Sequence, residues 1–184
     1  GFSNAVSLNS DGTIVAASAQ NNNGVNGTNS GHVRVFQWSG SSWDQVGADI
    51  DGEAANDYSG RSVSLSSDGT IVAIGAVNSD GNGSNSGHVR VHKWSNGSWS
   101  QMGSDIDGKT VNSNFGNLSV LSSDGTILAV KGKDGEINQA SIYQWSGSSW
   151  DKIGPDIDEK ASGDGINRIS ISGDGKILAI AGLG

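Results

Sequence analysis

Cysteine is absent from the 184 residues, so disulfides are excluded, and the compartment stays open because many secreted proteins also lack them. Basic residues are scarce: 11 Lys and Arg against 19 Asp and Glu give a formal net charge of −8. Because phosphate binding needs clustered Lys and Arg, we expect no nucleic-acid partner. No apolar run approaches the roughly 18 residues of a spanning helix, so we expect no membrane insertion.

Glycine is abundant, at 29 residues, and only 34% of the chain is apolar. Such a composition is typical of a disordered linker. Strand-like apolar segments nevertheless recur along the chain, at residues 13–16 (TIVA), 70–76 (TIVAIGA), 126–130 (TILAV) and 176–182 (KILAIAG). A flexible linker needs no such segments, so the small residues are predicted to form the turns and loops between many short strands.

An Asp-Gly pair marks an internal repeat, with spacings of 57, 56 and 50 residues between Asp11, Asp68, Asp124 and Asp174. A period in that range indicates a repeat architecture. A second marker, the Trp of the sequence QWSGSSW and its relatives, shows that length varies in one loop per repeat. These loops are residues 20–31, 78–87 and 133–138.

Each repeat is predicted to form four short antiparallel strands. The second, residues 70–76, is apolar on both parities, which suits a strand covered on both faces, whereas the third, residues 88–94, alternates. The prediction is an all-β, β-propeller-like array of four-stranded blades. Repeats span about 1–57, 58–114 and 115–165, with a half blade at 166–184, giving fourteen strands.

The open edge of the half blade favours either a longer propeller chain or completion by another copy, so self-association is an expected partner mode. An open, curved stack of sheets is the alternative. The chain begins within a repeat, at GFSNAV, and shows no signal-peptide pattern there.

Three short segments carry a family resemblance: Phe115-Gly116 before a first strand, Ile74-Gly75-Ala76-Val77 after a second, and SNSGHVRV at 84–91. Together they resemble the FG-GAP repeat, which forms the propeller of the integrin alpha subunit. The resemblance implies a propeller whose hairpin between strands one and two holds calcium. Here that hairpin is only Ser-Ser-Asp-Gly, so the family's calcium ligands are not carried over.

A different loop offers the best metal candidate. Oxygen-bearing side chains at Asn78, Asp80, Asn82 and Ser86 have the spacing of a calcium loop, with Gly83 for the bend. Only one of the four is a carboxylate, so calcium would bind weakly. The alternative is a plain turn cluster of Asn and Gly.

Two further recurrences have a structural and a functional interpretation. Asp-Ile-Asp occurs at 49–51, 105–107 and 156–158, where the carboxylates could hold a cation or the Ile residues could anchor the link between blades. Trp pairs at 38/43, 94/99 and 145/150 could stack on sugars or wedge between sheets, and packing is the favoured interpretation.

Four N-x-S/T sequons, at Asn26, Asn82, Asn96 and Asn117, are candidate glycosylation sites in a secreted protein. The histidines show no pairing with a nucleophile, and we therefore expect a protein that is not an enzyme. The function predicted is an extracellular binding or adhesion module that presents its loops to a carbohydrate or protein. The alternative is a structural repeat protein that builds a fibre, sheath or surface layer.

Overall fold

The computed structural model describes residues 5–160 and 164–182, and every helix or strand in those ranges is a β-strand. The strands, numbered along the chain, are β1 Val6–Leu8, β2 Ile14–Ser18, β3 His32–Trp38, β4 Trp43–Gln45, β5 Ile50–Asp51, β6 Ser59–Leu65, β7 Ile71–Ala76, β8 His88–Ser95, β9 Ser98–Gln101, β10 Ile106–Asp107, β11 Leu118–Leu121, β12 Ile127–Asp134, β13 Ile137–Trp145, β14 Trp150–Lys152, β15 Ile157–Asp158, β16 Ile166–Ile171 and β17 Leu178–Gly182.

Neighbouring strands pair antiparallel in chain order, which confirms the predicted all-β array of blades. Blade 1 contains β1–β5, blade 2 contains β6–β10, blade 3 contains β11–β15, and β16–β17 form a two-stranded sheet. Seventeen strands replace the expected fourteen because the fourth strand of each blade is divided. Its two pieces, such as β9 and β10, both pair with the third strand of the same blade.

The second strand of each blade is central because its side chains are apolar on both faces. All six residues of β7 are buried, as the sequence pattern predicts. The neighbouring β8 was expected to alternate, yet its first five residues, including Arg90 and His92, are also buried. A blade between two others has no solvent-facing side near its centre. The face of β8 that carries its polar residues is therefore buried as well.

The hydrophobic core lies between the blades. One cluster joins blades 1 and 2 through Val35, Val63 and Ile74, and a second joins blades 2 and 3 through Val91 and Leu128. A third joins blade 3 to the β16–β17 sheet. Each blade therefore buries its apolar faces only against its neighbours, as in other repeat proteins.

The recurring Asp-Gly turn also contacts the preceding blade. Asp68 accepts hydrogen bonds from the Thr70 amide and the Ser66 hydroxyl, which closes the hairpin. Gly69, with φ of 73°, lies against Ile14 of blade 1, and a Cβ there would come within 2.6 Å of the Ile14 Cδ1. Only glycine fits both the positive φ and this contact.

Backbone hydrogen bonds connect these turns from blade to blade. The Ser10 amide donates to the Ser67 carbonyl at 3.0 Å, and the Ser67 amide donates to the Ser123 carbonyl at 2.8 Å. The Ser123 amide in turn donates to the Gly173 carbonyl at 2.9 Å. Ser62 and Ser119 add a buried hydroxyl contact of 2.8 Å between blades 2 and 3.

The variable loop of the third repeat is shorter than the sequence predicts. Residues 133–138 were expected to form a loop, but β12 and β13 pair as far as Asp134 and Ile137, leaving Gly135 and Glu136 as the turn. Gly135 has φ of 58° at the first central position, as a type II′ hairpin requires. Because only two residues join them, β12 and β13 stay paired up to the turn, and no separate loop forms.

Antiparallel order places all variable loops at one end of the blades. This loop face comprises residues 20–31 and 78–87 together with the interblade connections 52–58 and 108–117. The Asp-Gly turns and the Trp hairpins lie at the opposite end. Within the described residues no helix is long and apolar enough to cross a membrane.

Candidate functional site: the loop face

An acidic pocket of about 420 Å³ opens on the loop face where blade 1 connects to blade 2. The connection 53–57 forms one wall, and the loop around Asn78 to Asn85 forms another. His88, Asp105 and Asp107 form the floor on blade 2. A variable loop and an interblade connection therefore shape this pocket together.

The loop is fixed to the connection by hydrogen bonds that recur in the first two repeats. The Asn85 side chain donates to the Asn112 side-chain oxygen at 3.2 Å, and Asn29 does the same to Asn56 at 3.3 Å. All four of these residues have positive φ, which asparagine tolerates better than most residues. The Asn-rich composition of the loops thus has a structural cause.

The four residues proposed as calcium ligands are placed differently from one another. Asn78 and Asp80 line the acidic pocket, and the Asp80 carboxylate accepts a hydrogen bond of 2.8 Å from the backbone N–H of Asn85. The side-chain Nδ2 of Asn82 donates a hydrogen bond to the Gly108 carbonyl at 3.0 Å. Ser86 is buried and donates to the Ser79 carbonyl at 3.2 Å. These bonds belong to the turn-cluster interpretation, and calcium binding by this set stays a prediction.

The Asp-Ile-Asp segments anchor the end of each blade. Ile50 and Ile106 are buried, as the structural interpretation expects, although Ile157 is exposed. The first Asp of each segment has a polar partner on its own blade: Arg34 donates to both oxygens of Asp49 at 2.9 and 2.8 Å and lowers the pKa of that carboxyl. Asp156 is contacted by Lys109 and Lys152.

In blade 2 the hydrogen-bond partner of the first Asp is uncharged. Asp105 receives a hydrogen bond from Gln101 at 2.6 Å and faces Glu53 and the buried His88. Burial is the main cause that raises the pKa of the Glu53 carboxyl. The charge of Arg90 opposes this shift and the charge of Asp105 adds to it. Burial likewise raises the pKa of Asp107. Acid side chains therefore face one another here.

A second pocket, of about 450 Å³, is basic. Arg61, Lys131 and Arg168 line it with Asn117, Leu118 and Asn167, so the lining contains three cationic side chains and no carboxylate. Burial and then the nearby Lys133 lower the pKa of Lys131. Most of these residues stand at the starts of the first strands of successive blades.

Sequence reasoning missed this basic pocket because its cations are distant in the chain and fall at no shared repeat position. Arg61 has Asn117 and Asn167 as its equivalents, at the same distance before the Asp-Gly turn. Comparing equivalent positions for changes of charge could have shown it. The same comparison would have singled out Glu53, whose equivalent is Lys109.

Two of the three Trp pairs, 94/99 and 145/150, pack against the preceding blade, as favoured. Trp99 donates its indole N–H to the Val46 carbonyl of blade 1 at 2.9 Å, and Trp150 donates to the Met102 carbonyl of blade 2 at 3.0 Å. The equivalent Trp43, which no other blade of the described residues covers, is 44% exposed. Within each pair the ring centroids lie 5.3 to 5.6 Å apart.

The sequon asparagines lie in dissimilar surroundings. The Asn26 side chain donates to the Gly52 carbonyl at 2.7 Å, which is the equivalent of the bond made by Asn82. Asn96 is exposed in the hairpin between β8 and β9, and Asn117 lines the basic pocket. Glycosylation at these four positions stays a prediction.

Comparison with known proteins bears on the fold and on one repeat. Residues 49–91 match the family model of the FG-GAP repeat. No curated protein sequence matches the chain. The chain is similar in structure to a candidate 6-phosphogluconolactonase from Bacteroides uniformis, with a TM-score of 0.64 and 16% identity over 96% of this chain and 46% of that one.

Two further solved structures show the same fold. TolB from Acinetobacter baumannii matches with a TM-score of 0.57 and 16% identity, over 96% of this chain and 36% of its own. The periplasmic gluconolactonase of Pseudomonas aeruginosa matches with a TM-score of 0.57 and 15% identity, over 96% and 50% respectively. This chain thus spans half or less of the length of each of these structures.

These similarities overturn one expectation. The repeated histidines and the absence of a nucleophile–base pair led us to expect a protein that is not an enzyme, but two of the three similar structures carry lactonase names. The same fold therefore also occurs in proteins named as enzymes, and the lack of a nucleophile–base pair carries no weight, because it bears on only one kind of chemistry. The match at residues 49–91, which extends from the end of blade 1 into β8, identifies an FG-GAP repeat within a chain of β-propeller fold.

Proposed function

We propose that this protein is a ligand-binding propeller module, and that its basic pocket takes an anionic carbohydrate. The carrying observation is the convergence of Arg61, Lys131 and Arg168 in one pocket of a protein whose net charge is −8. Scattered surface cations need no explanation, but three around one opening favour an anion.

Two features support a sugar-derived ligand. Asn117 and Asn167 beside the cations supply amide donors and acceptors of the kind that bind hydroxyl groups. The names of the two lactonases indicate sugar-acid lactones as their substrates, and those proteins share this fold. As part of the proposal, the protein acts outside the cell or at its surface, where carbohydrate or protein ligands are presented to loops.

The rigid frame explains why this pocket is suited to binding. Residues held on a fixed scaffold keep their positions without a large entropic cost on binding. Here the walls of the basic pocket come largely from paired strands: Arg61 lies in β6, and Leu118 of β11 pairs with Lys131 of β12. The ligand would then meet preformed walls.

The test is binding of the 184-residue chain to an array of neutral, carboxylated, sulfated and phosphorylated glycans, followed by calorimetry on the best ligand. Replacing Arg61 or Lys131 by Ala should weaken binding about tenfold or more each, since a charge-assisted hydrogen bond contributes about 1.5–3 kcal/mol. Lys176→Ala is the matched control, because Lys176 is 80% exposed at the opposite end of the blades. Equal loss in all three variants, or no acidic glycan bound, would contradict the proposal.

A second candidate function is self-association into a larger assembly. In this chain the outer face of blade 1 exposes Val6 and Leu8, and Ile177 is exposed beside β17. Inside the molecule the corresponding faces are covered by the next blade, so a second copy could cover them. Light scattering across a hundredfold concentration range should show growth in mass, and a constant monomer mass would remove this candidate.

A further inference from the structure

The connection from blade 1 to blade 2 and the connection from blade 2 to blade 3 carry opposite charges at one equivalent position. Glu53 and Lys109 each stand two residues after an Asp-Ile-Asp segment, at equivalent places. At the connection of blade 2 to blade 3, the Lys109 ammonium contacts Asp156, which also accepts from Lys152 and Ser141. A side-chain cation therefore fills this position and neutralises the carboxylate.

At the connection of blade 1 to blade 2, that cation is missing from the described residues. Glu53 takes the place of Lys109 and faces Asp105, the equivalent of Asp156. Gln101 takes the place of Lys152, so it donates a hydrogen bond without bringing a charge. Two carboxylates are thus held together where the neighbouring connection pairs a carboxylate with lysines.

His88 completes the cluster from the floor of the acidic pocket. It is 1% exposed, its Nε2 has no hydrogen-bond partner in the described part of the chain, and its Nδ1 lies 3.6 Å from the Asp105 Oδ2. A buried imidazole with one ring nitrogen beside a carboxylate and the other unpartnered offers a nitrogen ligand to the floor of the pocket.

One positive side chain is nearby but does not balance the pocket. The Nη1 atom of Arg90 lies 3.3 Å from the Glu53 carboxylate, and its Nη2 donates a hydrogen bond to the Asp51 carbonyl at 2.6 Å. The lining of the pocket holds five carboxyl groups, those of Glu53, Asp57, Asp80, Asp105 and Asp107. A divalent cation would therefore enter a site that is still acidic after Arg90 is counted.

We propose that Glu53, His88 and Asp105 bind a first-row divalent metal ion, with Zn²⁺ the best fit, which joins blade 1 to blade 2. The ligand atoms of the three residues all lie within 4.8 Å of one another. Ligands of a tetrahedral Zn²⁺ at about 2.0–2.2 Å stand about 3.4 Å apart, so the side chains need to close by no more than roughly 1.5 Å. One imidazole nitrogen with two carboxylate oxygens favours Zn²⁺ over Ca²⁺, which prefers oxygen alone.

The site is distinct from the basic pocket, and its test is independent of any carbohydrate. Chelator-treated protein is titrated with ZnCl₂, MnCl₂ and CaCl₂ by calorimetry, and thermal unfolding is followed with and without each ion. We expect one Zn²⁺ per chain, tighter than Mn²⁺ and Ca²⁺, and a rise in the midpoint of unfolding on Zn²⁺ addition.

Variants taken from the protein's own repeats give sharp controls. Glu53→Lys copies the Lys109 arrangement, so it should fold, form an ion pair with Asp105 and weaken Zn²⁺ binding at least about 100-fold. His88→Gln copies Gln139 of blade 3 and should weaken binding about tenfold or more. Asp49→Asn, at the equivalent place in blade 1 where Arg34 already occupies the carboxylate, should leave binding unchanged.

Three results would overturn the proposal. One is a folded protein that binds none of the ions, and another is Zn²⁺ binding that persists in both Glu53→Lys and His88→Gln. The third is loss of the ion in Asp49→Asn, which would assign it to the His32–Asp49–Asp51 cluster instead. If His88→Gln fails to fold, Glu53→Lys decides alone, because Glu53 is exposed.

Discussion

Truncation of one interblade tryptophan should show that each blade depends on its neighbour. Trp99 is half-buried between blades 1 and 2 and donates its indole N–H to the Val46 carbonyl at 2.9 Å, whereas the equivalent Trp43 is 44% exposed and is covered by no other blade within the part of the chain that the structure describes. A fully buried Trp→Ala change costs about 3–5 kcal/mol. Because Trp99 is only partly buried, we expect Trp99→Ala to lower the free energy of unfolding by about 2–3 kcal/mol. About 1 kcal/mol of that is the hydrogen bond.

Trp43→Ala is the matched control, since it removes the same ring and the same contact with its hairpin partner. We expect it to cost less than about 1 kcal/mol, because little area is withdrawn from water at that position. Urea unfolding followed by circular dichroism gives both values, and the midpoint shift at constant slope is the readout. Equal losses in the two variants would refute the view that Trp99 acts across the blade boundary.

Three other changes test the turns and the buried titratable groups by urea unfolding. Gly69→Ala should cost about 1–3 kcal/mol more than Gly12→Ala, because both glycines have φ near 74° but only Gly69 lies against Ile14; equal costs would contradict the packing argument. Burial alone would raise the pKa of Asp156, but hydrogen bonds from its partners outweigh it and lower the pKa to about 2. The ionised Asp156 therefore contributes about 1–2 kcal/mol to the free energy of unfolding above pH 4, and this contribution is lost as the pH falls to 2. Asp156→Asn should make the free energy of unfolding less dependent on pH in that range, and an unchanged dependence would contradict the argument. Burial lowers the pKa of His92 to about 4, so the unfolded state gains a proton first as the pH falls below 6.5. His92→Gln should therefore remove about 1–2 kcal/mol of the stability lost between pH 7 and 5, and an unchanged loss would contradict the burial of a neutral imidazole.

The repeat architecture could be predicted because its signals are local and recur in register. The Asp-Gly turn with its Ser and Thr partners fixes a tight hairpin, and the apolar segment after it has both parities filled. Both features read directly from a few consecutive residues. Blade order then follows from short connections, since adjacent strands pair when only a turn separates them.

The sites were less predictable because they combine residues from different blades. Arg61, Lys131 and Arg168 meet in one pocket although more than a hundred residues separate the first from the last. The local spacing of Asn78 and Asp80 predicts a calcium loop, which stays a prediction, but it gave no sign that both residues line an acidic pocket together with residues of the interblade connection. Burial of Arg90 and His92 was likewise hidden, because alternation along β8 indicates water on one side only when no second sheet lies there.

The hydrogen bonds that run from one Asp-Gly turn to the next are the same at every step. Ser67 accepts from the turn before it and donates to the turn after it, and Ser123 repeats that relation. A blade inserted between two others would accept the hydrogen bond of the turn before it and donate one to the turn after it. If a whole blade were removed, the turns on its two sides could bond to each other directly. Gene duplication can therefore lengthen or shorten such an array by whole units without redesigning any joint.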